Sequence, residues 1–129
     1  MIEEIKLKDF PWDEMPWALD ENGSPYIPGS VTEEASVLLL LENGTKIAYL
    51  VYDVWSYSGY VEIHYAQTYL PFQNKGCATK LVNEVYRKYD AQYDVHLYQT
   101  SGVSVNSLKR WNFEKPDPGQ TLWVRRKAV

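Results

Sequence analysis

Pro71-Phe72-Gln73-Asn74-Lys75-Gly76-Cys77-Ala78-Thr79-Lys80-Leu81-Val82-Asn83-Glu84-Val85-Tyr86-Arg87-Lys88 is the stretch on which the reading of this chain turns. It joins a turn rich in amide side chains, carrying one glycine, to an amphipathic helix. Ala78, Leu81, Val82, Val85, Tyr86 and Tyr89 recur at helical spacing, while Lys80, Asn83, Glu84, Arg87 and Lys88 fall on the other side. One face therefore packs on something apolar. Upstream, Tyr60 to Thr68 is rich in β-branched and aromatic residues, so the local order is strand, tight loop, helix. The first amides of a helix lack internal partners and sit at the positive end of its dipole, so residues 73–78 offer N–H groups to a phosphate, and Gly76 lets the backbone come close.

Two common phosphate loops are excluded by inspection. There is no Gly-x-Gly-x-x-Gly, and no Lys-Ser/Thr pair after a second glycine. What stands here is Gln73-x-x-Gly76-x-Ala78, preceded by Pro71-Phe72. This resembles the GNAT superfamily of acyl-CoA-dependent N-acetyltransferases, whose hallmark is Arg/Gln-x-x-Gly-x-Gly/Ala between a strand and a helix. The surrounding order agrees with the resemblance: a second strand over 94–100, then a short helix over 101–111 ending in Trp111-Asn112-Phe113.

The rest of the chain supplies strands. Ile2, Ile5 and Leu7 among charges read as a first strand, and four prolines between Phe10 and Ser30 limit that region to one or two helical turns and loop. Ala35 to Leu41 is almost continuously apolar, Asn43-Gly44 is a strong hairpin signal, and Lys46 to Trp55 returns. Tyr57-Ser58-Gly59 turns into the Tyr60 strand, and 121–127 closes the sheet after the turn at 116–119. The expected class is α+β (mixed α/β): a GNAT-like, mostly antiparallel central sheet with a splayed parallel strand pair and flanking helices, in a single domain over 1–129.

Composition bounds the function. At 45% apolar and 15% aromatic the chain is not a disordered one, and no apolar run approaches the roughly 18 residues of a membrane span. An acidic N-terminus without an apolar signal core, and a single cysteine, make a reducing cytoplasm the expected compartment. Cys77 reads as a small loop filler or a catalytic thiol, with His64 and His96 on separate strands. The two histidines and one cysteine have no metal-ligand spacing. Net charge is −4, divided as −8 over residues 1–42 and +4 over the remainder. A basic cofactor half and an acidic acceptor half would sort a phosphate-rich donor from a cationic amine. Trp12, Trp17 and Tyr26, beside Asp13, Glu14, Asp20 and Glu21, read either as an amine pocket or as core aromatics beside exposed acids. Arg125-Arg126-Lys127 raises nucleic-acid binding, against which the acidic total speaks.

The resemblance implies acetyl transfer from acetyl-CoA to a primary amine by direct attack in a ternary complex, the acceptor being a small molecule or a lysine-containing peptide. No nucleic-acid or membrane partner is implied, and a homodimer is compatible with the sequence. It implies cofactor contacts from Thr68, Tyr69 and Leu70 for the pantetheine arm. Gln73, Asn74, Lys75, Gly76, Cys77, Ala78 and Thr79 serve the phosphates, with Lys75 or Lys80 assisting by charge. Ser101 and Asn106 are candidates on the second helix. It also implies a general base at Glu62, eleven residues before Gln73 as in the histone acetyltransferase branch, with His64 the alternative. Strand alternation puts Glu62, His64, Ala66 and Thr68 on one face. Counting back from Asn112-Phe113, the family's thiolate-protonating Tyr falls on Leu108, so Tyr98, Tyr57 or water takes that part. Because the Tyr position is altered, a module with this fold that binds CoA or a protein without turnover is the alternative.

Overall fold

The computed structural model describes residues 1–98 and 103–128. Six strands form one sheet in sequence order: β1 Ile2–Lys6, β2 Ser36–Glu42, β3 Thr45–Trp55, β4 Tyr60–Thr68, β5 Asp94–Tyr98 and β6 Leu122–Arg125. All neighbours are antiparallel except β4 and β5, which are parallel and joined through helix α1, Cys77–Tyr89. A short α2, Val105–Arg110, precedes β6. This is the expected α+β class.

Why β2 reads as an unbroken apolar run is visible in its neighbours. Leu38 and Leu40 enter one core with α1, and Val37 and Leu39 enter a second core on the opposite face. A strand covered on both sides has no polar face to alternate with. The first core joins the sheet to Leu81, Val82, Val85 and Tyr86 of α1 and to Leu108, Trp111 and Phe113. The helical spacing thus buries the predicted face, each large apolar side chain contributing about 1.5–3 kcal/mol. The second core is roofed by Phe10, Met15, Ala18 and Ile27 from the proline-rich segment.

That segment holds two 3-10 turns, Trp12–Glu14 and Pro16–Ala18, because proline removes the donors a longer helix needs, and a third, Leu7–Asp9, precedes it. Leu7 therefore leaves the first strand, which ends at Lys6. The hairpin after β2 turns on Asn43 and Gly44, with φ of 51° and 82°, the pair of positive values that Asn-Gly supplies. The helix expected over 101–111 is helical from Val105 to Arg110, the closing strand is confined to Leu122–Arg125, and β5 is described to Tyr98. Among the described residues no helix is long and apolar enough to cross a membrane.

Candidate functional site

At the start of α1 no side chain caps the helix, and its first turn carries no acid. Gly76 occupies the N-cap with φ 81° and ψ 13°, and Asn74, two residues earlier, has φ 62°. Lys80 N–H is the first α1 amide to bond back, to Gly76 O at 3.0 Å, which leaves the amides of Cys77, Ala78 and Thr79 to a ligand. A Cβ built on Gly76 meets nothing within 4 Å, so the space above the loop is open. A cleft of about 480 Å³ opens there, running from Ala66 and Thr68 past Gln73 and Gly76 to Ser104 and Trp111. The donor set and the open space fit a diphosphate.

On β4 the alternation fails at one residue. Val51 pairs with Tyr65 and Tyr52 with Ile63, so His64 is an extra residue, a β-bulge. Val61 and Ile63 face the α1 core before it and Ala66 faces that core after it, while Tyr65 turns to the other core. The expectation that Glu62, His64, Ala66 and Thr68 share a face is thus corrected. Glu62 and His64 lie on the face away from α1; Ala66 and Thr68 lie on the cleft side. Parallel pairing with β5 runs only from Tyr60–Asp94 to Ile63–Leu97, and beyond it β4 has no β5 partner among the described residues.

The face away from α1 carries a cluster of acids and imidazoles. His64 Nε2 lies 2.8 Å from Asp53 Oδ2, and its Nδ1 lies 3.4 Å from Glu62 Oε2. Glu62 Oε1 accepts from the Trp55 indole at 3.1 Å. His96, in register with Glu62, stacks on Tyr60 with ring centres 4.0 Å apart and planes 9° apart. Desolvation holds the His96 imidazole below its ordinary pKa against the opposing pull of Asp94 and Glu62. Desolvation, then the Glu62 charge, raises the Tyr60 phenol. Tyr98 follows His96 by two along β5 and is 42% exposed on the same face.

Several expected residues come together and others do not. Thr68, Gln73, Asn74, Gly76, Cys77, Ala78 and Thr79 all line the cleft. Gln73 Nε2 donates to Thr68 O at 3.1 Å and fastens the loop to the strand end. Tyr69 and Leu70 stay out: Tyr69 N–H bonds Ile47 O, continuing the β3 ladder, its ring stacks on Trp17, and Leu70 is 74% exposed. Lys75 and Lys80 border a larger open groove of about 980 Å³ between β2 and the outer side of α1, with Lys75 Nζ 5.8 Å from the Phe72 ring centre. That groove does not include Gly76 or the open space above it. Asn106 is exposed, and the cleft takes Ser104 and Ser107 from α2 instead. Ser101 lies outside the described residues. Leu108 is fully buried, and Tyr57 is wholly exposed at the β3–β4 turn.

The acids and aromatics of the N-terminal region are mostly engaged at home. Trp12 and Trp17 pack on the second core, Glu14 pairs with Lys46 at 3.1 Å, and Asp20 accepts from Asn22 N–H and Ser24 N–H at 2.9 Å. Tyr26 is 47% exposed. Sequence reasoning missed Asp53, which pairs with His64, and Trp111, whose indole donates to Thr79 Oγ1 at 3.0 Å on the cleft wall. Counting strand partners back from Gly59 could have set Asp53 near Glu62, as the pairing does. Among the described residues no group of His, Cys, Asp and Glu side chains is arranged to hold a metal ion.

No family model matches the sequence, and no curated protein matches it. Solved structures do match. The ribosomal-protein-alanine N-acetyltransferase of Escherichia coli aligns with a TM-score of 0.70 at 11% identity, over 100% of this chain and 96% of that one. A GNAT family N-acetyltransferase of Escherichia coli in complex with CoA aligns at 0.65 and 16%, over 99% and 81%. Tetrahymena GCN5 aligns at 0.64 and 15%, over 95% and 84%. Likeness of shape at such low identity is likeness of fold, and the chain has the GNAT acetyltransferase fold.

Proposed function

We propose that this protein transfers an acetyl group from acetyl-CoA to a primary amine by direct attack in a ternary complex. The observation that carries the reading is that one strand, β4, serves both parts: its end at Thr68 lines the cleft over Gly76, and Glu62 and His64 lie a few residues upstream on it. The fit of the free α1 amides to a diphosphate supports CoA as the donor. Structures sharing the fold include the Escherichia coli acetyltransferase in complex with CoA.

Acetyl-CoA supplies an activated acetyl group; the chain supplies position and proton handling. The uncoupled cleft edge of β4 receives the pantetheine arm as an added strand. The acceptor nitrogen bonds the carbonyl carbon as the carbon–sulfur bond breaks. Its surplus proton passes to Glu62, directly or through one water. His64 is less suited to that part, since both ring nitrogens already face carboxylates. It acts as the link that fixes Glu62, while each Glu62 oxygen keeps a second lone pair for the amine. The departing sulfur takes a proton from Tyr98 or from water. Asp53, Glu62 and Asp94 give the acceptor face the charge that suits a cationic small molecule or a lysine-containing peptide.

Thiol release from acetyl-CoA across polyamines, lysine peptides and aminoglycosides tests this. Tight CoA binding with no release from any of them would favour the second reading, a binding module without turnover. That reading draws on Leu108, which fills core space where the family's tyrosine would stand.

A further inference from the structure

Beside the cleft over Gly76 lies a second one, of about 520 Å³, into which three elements each send a guanidinium group: Arg87 from α1, Arg110 from the end of α2, and Arg125 from β6. The two clefts share Thr79, Arg110 and Trp111, so they form one continuous trough. Its wall is fixed. The Trp111 indole donates to Thr79, and Tyr86 OH donates to Trp111 O at 2.9 Å. Arg125 is also fixed, its guanidinium carbon 3.6 Å above the Tyr86 ring centre and its NH2 3.4 Å from Asp90. The other two keep donors in hand. Among the described residues Arg110 gives one hydrogen bond, to Ser107 Oγ at 3.2 Å, and Arg87 gives its Nε and NH2 to Glu84 while its side chain is 70% exposed. A guanidinium carries five N–H donors in a planar fork that matches a phosphate, and most of these remain uncommitted.

We infer that this arginine trough seats a phosphomonoester, the 3′-phosphate of CoA. The inference rests on the reading that CoA lies over Gly76. A pyrophosphate on the α1 amides brings the adenosine end to the helix shoulder, where two routes lead on. One passes Thr79 to the arginines; the other passes Phe72 and Cys77 to Lys75 and Lys80 in the larger groove. The 3′-phosphate carries about −1.5 to −2 charges near neutrality, more than either phosphate of the diester bridge, and so calls for the denser cationic site. Arg110 and Arg125 on a fixed aromatic wall, joined by Arg87, meet that need better than the larger groove, where Arg87 stands with Lys75 and Lys80 beside the acids Glu42 and Glu84 and Lys75 is turned toward Phe72.

Calorimetric titration of the full chain with CoA and with 3′-dephospho-CoA tests it without any acceptor or turnover. The expected result is a preference for CoA of about tenfold or more, the worth of charged hydrogen bonds to one dianion. The double variant Arg87→Gln/Arg110→Gln changes exposed side chains and spares Arg125; with an unchanged melting temperature it should bind both ligands alike, at the wild-type affinity for dephospho-CoA. Lys80→Gln should keep the preference. Inorganic phosphate at millimolar concentration should weaken CoA binding and leave dephospho-CoA binding alone. Equal wild-type affinities would overturn the inference while leaving CoA over Gly76 intact. So would a preference lost in Lys80→Gln but kept in the arginine variant, or phosphate competing equally with both ligands. Binding of neither ligand would instead sink the cofactor reading, and the inference with it.

Discussion

Asp53 is paired across the sheet with Glu62, yet its carboxylate reaches past that partner to His64, 2.8 Å away, because the bulge pushes His64 sideways toward β3. The three side chains form a file, Asp53 to His64 to Glu62, clamped at its far end by the Trp55 indole. Glu62→Gln keeps the shape and removes the basicity, so kcat should fall by roughly 10². Asp53→Asn removes the charge that orients His64 and should lower kcat about tenfold, with KM for acetyl-CoA unmoved and Asp53→Glu restoring part of the loss. Steady-state rates with whichever amine gives most thiol release check this. A Glu62→Gln protein of undiminished rate would shift the proton to bulk water.

Gly76→Val tests the loop. A β-branched residue at φ 81° is strained by about 1–2 kcal/mol, and its side chain enters the space over the amides that is open within 4 Å. Affinity for CoA should fall at least about tenfold in a variant that still melts cooperatively. An unchanged dissociation constant would remove this loop from the site.

Leu108 separates the packing account from the chemical one. Being fully buried in the core with α1, it should cost about 2–5 kcal/mol when cut to alanine, read by urea denaturation. Tyr86→Phe should cost about 1–3 kcal/mol, since it strands the buried Trp111 carbonyl that the phenol serves. Burial pushes that phenol up to about 12, partly offset by Arg125, so it stays a neutral donor across the range of assay and the cost should not vary with pH.

His96 sets a pH signature. Its folded pKa lies below the ordinary 6.5, so the unfolded chain takes up the proton first as pH falls. The stability it contributes is full above about pH 6.5 and is lost as pH drops through the folded value. Asp94, also depressed, from 3.8, by the Lys127 amide and Arg126 despite its partial burial, loses its contribution only at more acid pH. Melting temperature should therefore decline between about pH 7 and 5 in the wild type, and His96→Gln should flatten that limb and spare the acid one. A limb of unchanged slope in His96→Gln would contradict the assignment.

The turn and helix at 71–88 were legible because their signals are local: helical spacing, a glycine with positive φ, and amides ahead of an apolar stripe. The doubly covered β2 was legible from its lack of polar alternation. The bulge was not, since nothing in Ile63-His64-Tyr65 differs from an ordinary strand and the extra residue is imposed by pairing with Val51 and Tyr52. The place of Tyr69 was hidden for a related reason: its amide continues the β3 ladder, a matter settled by a neighbour 22 residues away. The arginine trough draws on three elements that no window of sequence spans.

His64 changes the parity of β4. Before it, odd-numbered residues face α1; after it, even-numbered ones do, so the strand is two half-strands joined out of phase. Removing that single residue would turn everything downstream over. Gln67, which holds Trp17 O and Tyr49 OH on the N-terminal side, would swing toward the cleft, and Ala66 would meet the second core. A one-residue deletion here would thus act as a topological inversion of half a strand, and an Ala or Gly at position 64 would be tolerated far better than a gap.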